Sequence, residues 1–109
     1  MWYEERRRNE MNRPFYSEYV RHCMRFYSRN TAKPQFNTEV DKNNWYACHR
    51  AMERYDDRDR DILLRVYALY DTIADNVYEV AVAYGIDQND IWDLIKELER
   101  SIAKKRGLI

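Results

Sequence analysis

VYEVAVAYGIDQNDIWDLIK, residues 77–96, decides how this chain is read. Val77, Val80, Ala81 and Tyr84 recur at steps of three and four, so they share one face of a helix. Ile91, Leu94, Ile95, Leu98 and Ile102 do the same in a second helix. Between the two, Gly85 can take the left-handed conformation that ends a helix without steric cost, and Asp87 can cap the helix that follows. Small Ala81 stands where two crossing helices must approach closely. The spacing is that of a helix-turn-helix, a unit that usually lays its second helix in the DNA major groove.

Toward the C-terminus, the second helix is expected to reach about Arg106. Lys104, Lys105 and Arg106 then lie at its negative end, Gly107 closes it, and Leu108 folds back as the apolar partner. In the other direction, DTIAD at residues 71–75 is a short connector, with Ile73 pinning the turn and Asp75 or Asn76 as the cap. YDDRDRD at residues 55–61 spaces Asp57, Asp59 and Asp61 like the opening of a calcium loop, but that loop needs glycine at its sixth position and Ile62 stands there. The acids are instead assigned to a helix start. Asp56 or Asp57 caps it, and the helix runs to about Tyr70 on Ile62, Leu63, Val66, Tyr67 and Tyr70.

The first half reads as two helices joined by a loop. Pro14 suits a first helical turn, with Asn12 as cap, and the helix runs to about Ser28. Tyr16, Tyr19, Val20, Cys23, Met24, Phe26 and Tyr27 make its apolar face, opposite Glu18, Arg21, Arg25 and Arg29. The arginines are four apart, and the stripe is either a solvated face or a ridge for phosphates. NTAKPQFN, residues 30–37, is a loop. Thr38 with Asp41 resembles a capping box, and the helix after it runs to about Arg54 with Val40, Trp45, Cys48, Met52 and Tyr55 inward. If the two helices are antiparallel, Cys23 and Cys48 face each other, since both are nearly equidistant from the loop. Residues 1–12 form an arm or a short helix. Arg6, Arg7 and Arg8 suit a minor-groove arm, and the alternative is a solvated terminus whose Trp2 and Tyr3 dock on the body.

Composition bounds these readings. A chain of 109 residues has room for one domain with one core. Apolar residues at 45% and charged ones at 35%, with two Gly and two Pro, favour an all-α fold: a compact bundle of about five helices ending in the helix-turn-helix. The expected organisation is a single domain over residues 1–109, with an arm at 1–12, a helical hairpin at 13–54 and the helix-turn-helix half at 55–109. The 19 basic residues balance the 19 acidic ones, yet residues 1–54 carry 11 Lys/Arg against 7 Asp/Glu and residues 55–109 carry 8 against 12. The helix-turn-helix half is thus the acidic one. No apolar run reaches the length of a bilayer span and no signal-peptide core is seen, so a soluble cytoplasmic protein without membrane contact is expected. Cys23 and Cys48 each have a histidine as neighbour, but adjacent helical residues point about 100° apart and present themselves poorly to one ion. No metal, cofactor or catalytic set is therefore assigned, and the chain is not read as an enzyme.

With the motif placed, residues 57–107 resemble the region-4 helix-turn-helix domain of bacterial sigma factors and the small phage and prophage regulators built on it. The matching pieces are DRDRDILLRVY, then Glu79-Val80-Ala81, Gly85-Ile86, Ile91 and KELERSIAKKRGL. The whole chain is also similar to short proteins of Firmicutes prophages. The resemblance implies a phage-type transcription regulator whose partners are double-stranded DNA and RNA polymerase, with a homodimer compatible. At the groove-facing positions this chain has Gln88 and Asn89, suited to adenine, Trp92, and Lys96 and Arg100, suited to phosphates. Asp90, Asp93 and Glu97 repel phosphates, so Arg6, Arg7, Arg8, Arg21 and Arg25 are needed as further contacts. The alternative keeps the fold and uses Asp90, Trp92, Asp93 and Glu97 as a DNA-like surface against a host protein, either polymerase or a defence nuclease.

Overall fold

The computed structural model describes residues 13–109. The expectations placed on Asn12, Trp2, Tyr3 and Arg6, Arg7 and Arg8 lie outside the described residues. Five helices follow one another: α1, Ser17–Arg29; α2, Glu39–Met52; α3, Asp57–Ala68; α4, Ile73–Tyr84; and α5, Gln88–Lys105. Among the described residues there is no strand, and none of the helices is long and apolar enough to cross a membrane.

Four of the five starts are capped by a side chain taking one of the backbone N–H groups that a first helical turn leaves unpaired. Thr38 Oγ1 accepts from the Asp41 N–H at 3.1 Å, Asp56 Oδ1 from Asp59 at 2.8 Å, Thr72 Oγ1 from Asp75 at 3.2 Å and Asp87 Oδ1 from Asn89 at 2.7 Å. The α4 cap is Thr72, not Asp75 or Asn76 as expected. Burial is the reason: Ile73 and Ala74 are already in the core, so the helix must begin one turn earlier to bury them. Asn76 then falls inside α4, fully buried, and its Nδ2 donates to the carbonyls of Val66, Leu69 and Asp71 at 2.8, 3.1 and 3.2 Å.

The turn between α4 and α5 forms as the glycine demands. Gly85 has φ 63°, and the Ile86 N–H reaches back to the Ala81 carbonyl at 3.0 Å. Gly107, at φ 71°, closes α5 in the same way, with the Leu108 N–H on the Ala103 carbonyl at 2.8 Å and Leu108 half-buried. One apolar cluster draws buried residues from all five helices, and α5 packs against each of the other four.

Several residues expected in the core lie outside it. Tyr70 stands past the end of α3, where Leu69 turns extended, and is 87% exposed. Val40 is exposed on the first turn of α2, and Tyr19 and Phe26 sit at the rim of the α1 face. The arginines of α1 depart most from expectation. Arg25 donates to the Leu69 and Asp71 carbonyls, each at 2.9 Å, and Arg29 donates to the Ala68 carbonyl at 3.2 and 3.3 Å. The Ala68 carbonyl ends α3, where partial negative charge and missing intrahelical partners favour a guanidinium, and the Leu69 and Asp71 carbonyls follow in the connector.

Candidate nucleic-acid interface

Asn89, Asp93, Lys96, Arg100 and Lys104 follow steps of four, three, four and four along α5 and are all exposed. The 100° advance per residue gathers them into one strip. Asp90 and Glu97 border it and are exposed too, while Gln88 is half-buried. Asn89, Lys96 and Arg100 are therefore brought together as expected. Charge is graded along this side of α5: Asp90, Asp93 and Glu97 stand in its earlier turns with Lys96 among them, Arg100 and Lys104 in its last turns. That gradient also complements the α5 macrodipole.

Three other candidate contacts lie elsewhere. Trp92 is 2% exposed and packs inward, so it is neither a groove-facing residue nor the aromatic anchor of a protein-binding face. It lies one turn before Ile95 and two before Glu99, on the core-facing side of α5. Arg21 is 8% exposed, and its Nε donates to Glu99 Oε2 at 3.0 Å. Arg25 is held by the α3 carbonyls. Arg21 and Arg25 thus serve the fold where phosphate contacts were expected. Glu97 accepts from the Tyr55 hydroxyl at 2.9 Å and lies 3.6 Å from the Arg54 guanidinium. Burial, reinforced by the Glu97 carboxylate, pushes the Tyr55 phenol well up.

The Arg21–Glu99 pair has a third member, since the Tyr67 hydroxyl donates to the same Glu99 oxygen at 2.7 Å. Burial raises the Glu99 carboxyl above its ordinary value, with Arg21, the Tyr67 hydroxyl and Ser17 pulling the other way. The same burial drives the Tyr67 phenol far up, helped by the neighbouring carboxylate. A signal for this buried acid was present in the sequence: Glu99 stands four after Ile95 and three before Ile102, on the apolar stripe of α5. Beside the pair, a cleft of about 290 Å³ opens between α1 and α5, with Trp92 and Ile95 on its wall and Lys96 and Arg100 at its edge.

Among the described residues no three His, Cys, Asp or Glu side chains gather as a metal would require. Cys23 and Cys48 are both buried in the α1–α2 layer. Burial pushes the Cys23 thiol up to about 11 and the Cys48 thiol further. His49 stacks on Trp45 at 4.8 Å between ring centres and shares a 2.9 Å hydrogen bond with the Tyr27 hydroxyl, so it serves the aromatic packing of that layer. Comparison of the chain with protein-family models, with curated proteins and with solved structures found no match.

Proposed function

We propose that the chain is a small DNA-binding regulator of the phage type, in which α4, the Gly85 turn and α5 act as a helix-turn-helix and α5 meets the major groove of duplex DNA. One observation carries the reading: α5, which touches every other helix on one side, keeps Asn89, Lys96 and Arg100 on a strip that no other helix covers. Asn89 is suited to the adenine edge, and Lys96 and Arg100 to the flanking phosphates. The second reading, a DNA-like acidic surface for a polymerase or another host protein, is less well supported. Its aromatic member, Trp92, is in the core, and Glu97 is already engaged by Tyr55 and Arg54.

The reading is tested by gel shift on promoter-containing duplexes at low salt, with parent, Asn89→Ala and a Lys96→Glu/Arg100→Glu pair. Asn89→Ala should lose sequence preference, worth about 1–3 kcal/mol at one base pair. The charge-reversed pair should weaken all duplexes alike and make the slope of affinity against salt shallower by about 2. Equal binding by all three proteins would rule out α5 as the contact.

A further inference from the structure

A second cluster of positive charge lies away from the α5 strip, at the seam where the side of α2 from Lys42 to Arg50 meets the last turn of α5. A depression of about 480 Å³ there is lined by Lys42, Tyr46, Arg50, Lys105 and Arg106, and no carboxylate lines it. A fifth cation, Lys33 of the loop before α2, has its ammonium 5.3 Å from the centre of the Tyr46 ring; the Arg50 guanidinium is 5.8 Å from the same ring. Arg106 is held by a 2.6 Å hydrogen bond from its Nε to Asn44 Oδ1. Among the described residues none of these five cations takes part in an ion pair, whereas Arg13, Arg21, Arg54, Arg58 and Arg60 do.

The seam therefore holds Lys33, Arg50 and Arg106 with neutral partners, an aromatic ring and an amide, and brings Lys42 and Lys105 beside them without a carboxylate in the lining. Like charges gathered this way repel one another, and an anion sharing the surface relieves that repulsion. The macrodipoles of α5 and α2 account for Lys105, Arg106 and Arg50, which stand at the C-terminal ends of those helices. They do not account for Lys33, in the loop before α2, or for Lys42, in the N-terminal part of α2, where a cation is disfavoured. Lys33, Lys42, Arg50 and Lys105 are exposed and spread over a loop and two helices instead of converging on one buried point. That arrangement suits a row of phosphates better than a single small anion. Tyr46 is half-buried with cations at its ring, so it is not presented as a stacking platform for unpaired bases, which argues for a duplex backbone over a single strand.

We infer that the α2–α5 seam, with Lys33, Lys42, Arg50, Lys105 and Arg106, is a contact for the phosphodiester backbone of duplex DNA. It supplies the phosphate contacts that Arg21 and Arg25, turned inward, do not make. The inference takes its ligand from the function proposed above but needs no groove entry by α5.

The test is a titration of the ¹⁵N-labelled full chain with a 16-base-pair DNA duplex at low salt, followed by amide shifts, with tripolyphosphate as a separate probe of phosphate alone. Duplex should shift the amides around Lys42, Tyr46, Arg50 and Arg106. Arg50→Glu/Lys105→Glu should bind duplex at least about tenfold more weakly and with a salt slope shallower by about 2. Arg50→Gln/Lys105→Gln, free of new acids, should give a smaller loss in the same direction. Circular dichroism checks that both variants keep the parent's helicity. If duplex binds but the seam variants bind like the parent, the seam is wrong and the α5 contact stands. Loss of binding in the seam variants with no effect from Lys96→Glu/Arg100→Glu leaves the seam standing without the groove. Shifts with tripolyphosphate but none with duplex would mark an inorganic-anion site and overturn the inference, as would no shift with either.

Discussion

Glu99 shows what a single side chain can reveal about this core. A carboxylate buried beside one guanidinium and one phenol has a raised pKa because desolvation outweighs its partners. Just above the ordinary carboxylate range, then, the folded protein binds a proton that the unfolded chain has lost. Stability from this group falls as pH rises through that interval and returns as pH falls, opposite to the behaviour of a surface carboxylate in an ion pair. Glu99→Gln keeps an oxygen for Tyr67 and Arg21 but cannot ionise. The stability of the parent relative to this variant should therefore rise as the pH is lowered from about 7 toward the ordinary value of 4.5, read from urea midpoints; a difference that does not move with pH would contradict the raised pKa. Asn76 offers a second case, because its amide joins three carbonyls at the end of α3. Asn76→Ala should cost about 1–3 kcal/mol, chiefly from removing the donor to the Val66 carbonyl, since Arg25 still donates to Leu69 and Asp71, and Asn76→Asp should cost more, since it turns a carboxylate on the same carbonyls. Neither residue's role was read from the sequence. Apolar periodicity weighs side chains by hydropathy, so an acid or amide on the buried stripe registers as an interruption, and its partners are 5 to 78 residues away.

The helices themselves were largely legible, since their signals are local. Thr38, Asp56 and Asp87 cap the helices they were expected to cap, and Gly85 and Gly107 close α4 and α5 in the left-handed region. Gly85 separates conformational cost from packing cost: a Cβ added there meets nothing within 4 Å. Gly85→Ala should accordingly lose about 1 kcal/mol from backbone strain alone, and Gly85→Asn less, because asparagine tolerates this conformation. Equal stability of the parent and both variants in denaturant melts would count against the turn. The start of α4 was misplaced since Thr72, Asp75 and Asn76 are all credible caps, and only the packing of Ile73 against the core decides among them. The arginines of α1 misled for a related reason. A four-residue repeat fixes which side of a helix they occupy, but what faces that side is another helix end, some forty residues along the chain.

For the molecule as a whole, one apolar cluster spanning five helices implies cooperative unfolding. The two thiols report on it. Both are buried and held protonated, Cys23 at about 11 and Cys48 higher, so a disulfide-exchange reagent at pH 8 should label them slowly in native buffer and with the denaturant dependence of global unfolding. Fast labelling of either thiol without denaturant would mean that the α1–α2 layer opens by itself. The candidate interface was legible only in part at this scale: the α5 strip follows from helical phase, whereas the α2–α5 seam is assembled from residues between Lys33 and Arg106 that no sequence window holds together. The guanidinium groups of α1 have one further consequence. Arg25 and Arg29 donate to the carbonyls that close α3, and Arg21 answers the acid of α5, so residues 55–109 draw on α1 for these contacts. A chimera that transplanted that half alone would expose the end of α3 and strand a carboxylate in apolar surroundings, and a lineage that recombined such parts would have to carry α1 with them.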